Sequence, residues 1–154
     1  MTARSAAGGL KPDSPVPVML AIILACVPDA SAHGVKKGSL EVIHPHIGLP
    51  ADASPTGCAH MTIVNTGKSA DRLIAVSSPI AADVVLLTRN SSGAIIQVPF
   101  VDIPARSRVI LDEPTWCLKI SGLKVTPIED AAYEGMLHFE KHGGLAVDFV
   151  VQRA

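Results

Sequence analysis

Cys117 lies in the segment TWCLKISGLK (115–124), in which apolar and polar residues alternate as they do in a β-strand. Cys117 and Lys119 would share one face of that strand, opposite the apolar residues. A cysteine thiolate is a strong ligand for soft ions such as Cu(I), and a nearby ammonium group favours the thiolate. Cys117 could also pair with Cys58 in a disulfide or be a small structural thiol. The sequence leaves all three roles open.

Histidine supplies the other candidate metal ligands, because imidazole binds many transition metals. His44 and His46 flank Pro45 near the expected end of a strand. Two imidazoles at this separation can share a metal ion, although surface histidines without such a role are commoner. His60 is expected on the outward face of the next strand, where it could join Cys58 or Cys117 in a site.

The first 32 residues have the features of a secretory leader. The apolar run PVPVMLAIILACV follows Arg4 and Lys11 and precedes ASA at positions 30–32. A basic start, a short apolar run and a small-residue cleavage pattern are typical of signal peptides. We therefore expect residues 1–32 to be a signal peptide and 33–154 the mature domain, in the periplasm. Cys26 lies in an imperfect lipobox, so membrane attachment would require lipidation of Cys26.

Cleavage after residue 32 would give His33 a free α-amino group. The amine and the imidazole of His33 could then chelate copper without help from the fold, although a terminus without such a role is the commoner case. Cys58 and Cys117 would be the remaining cysteines, in an oxidising compartment where thiols tend to pair.

Composition narrows the fold and the function. The chain has 154 residues, a formal net charge of −1, twelve glycines and twelve prolines, and 3% aromatic residues. Balanced charge gives no reason to expect a nucleic-acid partner. Many turn-forming residues favour numerous short strands over long helices. The residues show no spacing typical of a catalytic triad, a phosphate-binding loop or a carboxylate pair, so we do not expect an enzyme.

Nine segments alternate or are rich in β-branched residues, and turn sequences separate them. They predict an all-β fold, an antiparallel Greek-key β-sandwich with no helix longer than about two turns. The predicted strands cover 39–44, 58–65, 72–78, 82–88, 94–100, 108–112, 115–121, 133–141 and 145–152.

The order of several motifs resembles the PCu(A)C family of periplasmic copper chaperones. The matching segments are GSLEVIHP, MTIVNTGKSADRLIAVSSPIAADVVLL, VDIPARS, LKISGLK and HFEKHGGLAVDFVVQ, and they span nearly the whole mature chain. The resemblance implies a single cupredoxin-like domain that binds Cu(I). It also implies transfer of copper toward cytochrome oxidase, with oxidase assembly proteins or another copper carrier as partners.

The family's copper ligands are largely replaced here. The resemblance places the family's first histidine at Leu87, its first methionine at Gln97 or Val98, and its closing His-x-Met pair at Cys117 and Lys119. A soft-metal site built from thioether and imidazole groups is therefore not complete at these positions.

Two functions follow from this departure. The first is a copper chaperone-like protein with a displaced or weakened site that draws on His33, His44, His46, His60 and Cys117. The second is a metal-free β-sandwich binding module that exchanged the copper site for an apolar patch around Leu87. Because copper held by Cys117 requires a free thiol, we expect such binding to be lost when the cysteines are oxidised.

Overall fold

The computed structural model describes residues 34–49 and 55–153, and these form eleven β-strands. The strands are β1 (Val35–Lys37), β2 (Leu40–Leu49), β3 (Gly57–Asn65), β4 (Asp71–Ser77), β5 (Asp83–Arg89), β6 (Ile95–Gln97), β7 (Val101–Ile103), β8 (Ser107–Leu111), β9 (Trp116–Ser121), β10 (Ala132–Phe139) and β11 (Gly143–Arg153). The described part contains no helix long and apolar enough to cross a membrane.

The predicted strands are present, with changes at their ends. The structure adds β1 and β7, and β2 continues past the histidines to Leu49 where the sequence predicted a strand end. Turn chemistry explains several boundaries. In the β5–β6 hairpin, the Asn90 side-chain oxygen accepts hydrogen bonds from the backbone N–H groups of Ser92 and Ala94, and Gly93 adopts a positive φ of 83°.

The strands form one ladder that curls around a single core, in the order β6-β5-β9-β3-β2-β11-β10-β4-β7. β1 pairs with β2, and β8 pairs with β3 beyond the point where β9 leaves it. Pairing is antiparallel except between β11 and β2. The parallel pairing of β2 and β11, which lie far apart in the sequence, requires the chain to cross over between them. Together with the all-β content, this confirms the predicted Greek-key sandwich.

Aliphatic side chains fill most of the core, as the low aromatic content requires. β11 buries alternate residues, including Phe149, and leaves the residues between them exposed. Gly135 of β10 lies so close to the Phe149 ring that an added Cβ atom would collide with it. The largest fully buried side chains are Phe149, Leu40, Ile47, Ile63, Leu73, Ile103, Leu111, Leu118, Ile120, Leu137, Val42 and Val101.

Two buried polar residues hold the turn NTGKSAD (65–71). The Asn65 amide donates to the carbonyl oxygens of Ser69 and Ile103, and its oxygen accepts from the N–H of Gly67. Asp71 is 2% exposed. This turn, which is part of the matching segment MTIVNTGKSADRLIAVSSPIAADVVLL, is therefore a structural motif at the edge of the core.

The Asp71 carboxylate joins this turn to the final hairpin. It accepts hydrogen bonds from His142 Nδ1 at 2.6 Å and from the backbone N–H groups of Arg72, Lys141 and His142. Burial alone would raise the pKa of Asp71, but these hydrogen bonds outweigh it and hold the pKa below its ordinary value.

Asp71→Asn should lower the free energy of unfolding by about 3 kcal/mol. The amide NH₂ group of Asn would face N–H groups that now donate to the buried Asp71 carboxylate, so donors would be left without acceptors. The depressed pKa means that the stabilisation by Asp71 is complete above the ordinary carboxyl pKa of about 3.9 and is lost as the pH falls through the lower, folded-state value. Urea unfolding between pH 2 and 7, at roughly unit intervals, should therefore show a weaker acid dependence in the variant.

Asp102→Asn is the matched control. Asp102 pairs with Arg72 at 3.0 Å, but both side chains are well exposed, so its loss should cost less than about 1 kcal/mol. Equal destabilisation by the two substitutions would contradict the structural role assigned to Asp71.

Candidate metal centre

One face of the sheet carries a row of side chains across five strands. His46 of β2 is the register partner of His60 of β3. On β9, Cys117 is the partner of Leu87 of β5, which in turn pairs with Gln97 of β6. Because directly paired residues of antiparallel strands point to the same side, the pairing gathers the candidate ligands at one level of the sheet.

The structure joins Cys58 and Cys117 in a disulfide, with their Cα atoms 5.2 Å apart. The two residues belong to neighbouring strands, since Cys58 pairs with Lys119 and Ala59 with Leu118. The sequence left three roles open for Cys117, and the structure shows the disulfide. In this state Cys117 offers no thiolate, so its role as a metal ligand stays a prediction for the reduced protein.

The three histidine rings of β2 and β3 lie side by side in a row, with the His46 ring in the middle. The ring centroids of His44 and His46 are 4.9 Å apart, and those of His46 and His60 are 5.1 Å apart and stacked. His44 sits where the register of β2 shifts, and its φ of 52° is uncommon for a residue with a side chain. This β-bulge turns the His44 ring toward His46 within a continuous strand. We refer to His44, His46 and His60 as the imidazole cluster.

His60 is buried, at 7% exposure, although it shares the outward face predicted from alternation. Its Nδ1 lies 3.0 Å from an Asp112 carboxylate oxygen, but this nitrogen has no hydrogen-bond partner among the described residues. Burial lowers the pKa of His60, with a smaller contribution from His46, while Asp112 and Glu113 act in the opposite direction. The neutral ring is favoured, and that is the form that binds metals.

A small cavity of about 140 Å³ adjoins the imidazole cluster, and Asp112 completes its polar lining. A second cavity, of about 370 Å³, lies on the other side of His60 against the disulfide. Glu113 faces this second cavity, with a carboxylate oxygen 3.6 Å from the Cys58 sulfur. His60 therefore lines both cavities, and each cavity has its own carboxylate.

Sequence reasoning missed Asp112 and Glu113. Both lie in the β8–β9 loop, in the run LDEPTWC immediately before the strand that carries Cys117. Two acidic residues this close to a candidate thiol were the available signal. The loop contains a cis peptide bond between Glu113 and Pro114.

The four positions taken from the family resemblance do converge. Leu87 lies between Gln97 and Cys117 in register, and Lys119 is the partner of Val85. Gln97, and not Val98, stands opposite Leu87. The positions have the geometry of a shared site, but their side chains include no imidazole or thioether. His33, the remaining predicted ligand, lies outside the described residues, as do positions 1–32.

The chain belongs to the LpqE-like family, whose model, described as "Putative lipoprotein LpqE-like", matches residues 40–151. No curated protein sequence matches the chain significantly.

Solved structures of PCuAC domains have the same fold. The apo PCuAC domain from PmoF1 is 23% identical, with a TM-score of 0.71 over 79% of this chain and 100% of that domain. The copper-bound PCuAC domain from PmoF2 is 23% identical, with a TM-score of 0.69 over 79% of this chain and 99% of that domain. The Cu(I) form of DR1885 from Deinococcus radiodurans is 21% identical, with a TM-score of 0.63 over 80% and 83% of the two chains. The predicted PCu(A)C resemblance and its fold are confirmed.

The disulfide should contribute substantially to stability, because it closes a loop of 59 residues across two strands. Chain entropy alone gives roughly 4 kcal/mol for such a loop, and measured values are commonly 2–4 kcal/mol. Reduction of the wild type, or Cys58→Ser with Cys117→Ser, should lower the urea midpoint accordingly while the circular dichroism spectrum stays that of a β-protein. An unchanged midpoint would contradict this prediction.

Proposed function

We propose that this protein is an exported, copper-binding, chaperone-like protein that carries copper as cargo. The observation that carries the proposal is the imidazole cluster, which places three histidines side by side on the sheet of a fold shared with copper-bound PCuAC domains. Copper accepts imidazole ligands readily, and a cluster that needs no thiol can bind it while the disulfide is intact.

The cluster is a displaced version of the site implied by the family resemblance. The family positions lie on β5, β6 and β9, whereas the cluster lies on β2 and β3, on the other side of β9 in the sheet. His46 and His60 are the central ligands because they are direct register partners. His44 adjoins this pair from the bulge, but the ring nitrogens of the three histidines do not all lie within 4.8 Å of one another, so His44 would have to rotate to join the metal. The amine and imidazole of His33 would add a further chelating pair at the mature terminus.

We propose that the protein transfers its bound copper to an acceptor. His44 is exposed and His46 is only partly buried, so an acceptor can approach the metal from solvent. The family resemblance supports delivery of Cu(I) toward cytochrome oxidase, with oxidase assembly proteins or another copper carrier as partners. A site of two or three imidazoles suits this role, because a carrier must release its metal to a stronger acceptor.

Copper binding is tested on the oxidised protein, from residue 33 onward, with Cu(I) kept reduced by ascorbate and a chromogenic chelator as competitor. We expect one equivalent to bind, and His46→Ala or His60→Ala should each weaken binding at least about tenfold, or 1.4 kcal/mol.

His138→Ala is the control, since His138 lies on β10 beside Ser77, away from the cluster. Unchanged affinity in the His46 and His60 variants would overturn the assignment of the site. Absence of copper uptake by the oxidised wild type would overturn this site and favour a metal-free module.

A specific observation supports that second candidate. Leu87, Ile95 and Trp116 line a groove of about 220 Å³, and its remaining lining residues are Thr88, Arg89, Glu113, Pro114, Thr115 and Cys117. Ile95 is 63% exposed, which is unusual for a large apolar side chain beside another. A metal-free binding module would use this apolar patch around Leu87 to hold a partner in place of copper.

Export is proposed from the leader and receives support from the family description. We predict that the mature chain begins at His33, as the small residues before it indicate. Intact-mass analysis of the protein recovered from its host envelope measures this directly. A lipid-modified chain that begins at Cys26 would contradict the prediction, and it would match the lipoprotein in the family's description.

A further inference from the structure

The disulfide lies inside a set of groups that could hold a metal ion. The ligand atoms of Cys58, Glu113 and Cys117 all lie within 4.8 Å of one another. Both cysteines are partly buried and Glu113 is exposed, so the set lies at the surface end of the 370 Å³ cavity. A carboxylate oxygen of Glu113 lies 3.6 Å from the Cys58 sulfur, so a third ligand group is already beside the sulfur pair.

We propose that reduction of the Cys58–Cys117 disulfide creates a second metal site, in which the two thiolates bind Cu(I) and Glu113 assists. The thiolate pair suits Cu(I), which is soft and is well held by two sulfur ligands. The site is distinct from the imidazole cluster, and among the described residues His60 is the one that lines both cavities.

The backbone holds the two thiols in place for this role. β3 and β9 keep the Cα atoms of Cys58 and Cys117 5.2 Å apart, and adjacent backbone pairs fix the strands on the same stretch. Rotation of the two side chains would therefore be enough to separate the sulfurs after reduction. Gly48, opposite Cys58 on β2, has no side chain that would fill the cavity above them.

Charges around the site favour a bound cation. The two thiolates and Glu113 bring negative charge to one end of the cavity, and the bound metal neutralises part of it. Lys119 lines the same cavity and supplies a balancing positive charge. Loss of the Glu113 charge should weaken binding of the cation without removing either sulfur ligand.

With a dithiol as the reductant, the disulfide opens by thiol–disulfide exchange. A thiolate of that reductant attacks one sulfur of the pair, the S–S bond breaks through a mixed disulfide, and the reductant leaves as its own disulfide with two electrons transferred. Cys58 and Cys117 each become a thiol. Cu(I) then replaces the two thiol protons, which pass to solvent, and the oxidation state of copper does not change. The reverse exchange with a disulfide-bearing partner releases Cu(I) unchanged.

The test compares Cu(I) uptake by the chain before and after reduction with a phosphine, which adds no thiol to the solution. Reduction should add one equivalent of tightly bound Cu(I) with ultraviolet thiolate-to-copper absorption. Cys58→Ser and Cys117→Ser should each abolish that equivalent, and Glu113→Gln should weaken it roughly 10–100-fold. Equal uptake by oxidised and reduced wild type, or by reduced Cys117→Ser, would overturn the proposal.

Two further arms keep the result independent of folding defects and of the imidazole cluster. In the reduced wild type, bound Cu(I) should protect both cysteines from alkylation, as read by mass spectrometry, and unprotected cysteines would overturn the proposal. His46→Ala should lose the oxidised-state site and keep the thiolate site, so failure of one proposal is distinguishable from failure of the other. Uptake of Zn(II) without uptake of Cu(I) would show that the metal is wrongly assigned.

Discussion

The position of β3 between β2 and β9 is the constraint on which the candidate sites depend. β3 forms antiparallel pairs with β2 along one edge and, along the other, with β9 and then β8. Alternate residues of β3 point to one side of the sheet, so Cys58 and His60 face the same way, two residues apart. Across one edge they meet His46, and across the other they approach Cys117. A shift of β3 by one residue would turn both side chains to the opposite face and separate the two sets of ligands.

This position also explains how the ligands could move while the fold persists. The site implied by the family resemblance uses β5, β6 and β9, and here those strands are paired in register and carry Leu87, Gln97 and Lys119. β9 is shared between the two arrangements, because Cys117 faces β5 on one edge and β3 on the other. The proposed chemistry therefore lies on the other side of β9 from the positions that the resemblance implies. Buried residues such as Leu118 and Ile120 hold β9 in place whichever side carries the ligands.

Alternation in the sequence was sufficient to predict most strands, because each buries one face and leaves the other polar. It also placed Cys117 and Lys119 together. It could not predict that β2 continues through His44 and Pro45, since a β-bulge breaks the period of two on which the prediction rested. Nor could it show that His60 is buried: its exposure depends on the stacked His46 ring and on Asp112, both distant in sequence. The sequence did not predict a role for Asp112 and Glu113, because that role depends on the position of their loop over β3.

His60 connects the two proposed sites physically. It stacks on His46 within the imidazole cluster, and it also lines the cavity that contains the disulfide. The redox state of the cysteines therefore determines which groups share this cavity with His60. They are a neutral sulfur pair when the cysteines are oxidised and two ionisable thiols when they are reduced. Since thiolates bind Cu(I) more strongly than imidazoles do, copper on the cluster would have a thermodynamic reason to pass across His60 once the cysteines are reduced. Oxidation would remove that acceptor and leave the imidazoles as the exposed, weaker holders of the cargo. A single buried histidine between two strands is thus the shortest path by which the redox state of the cysteines could govern where copper resides.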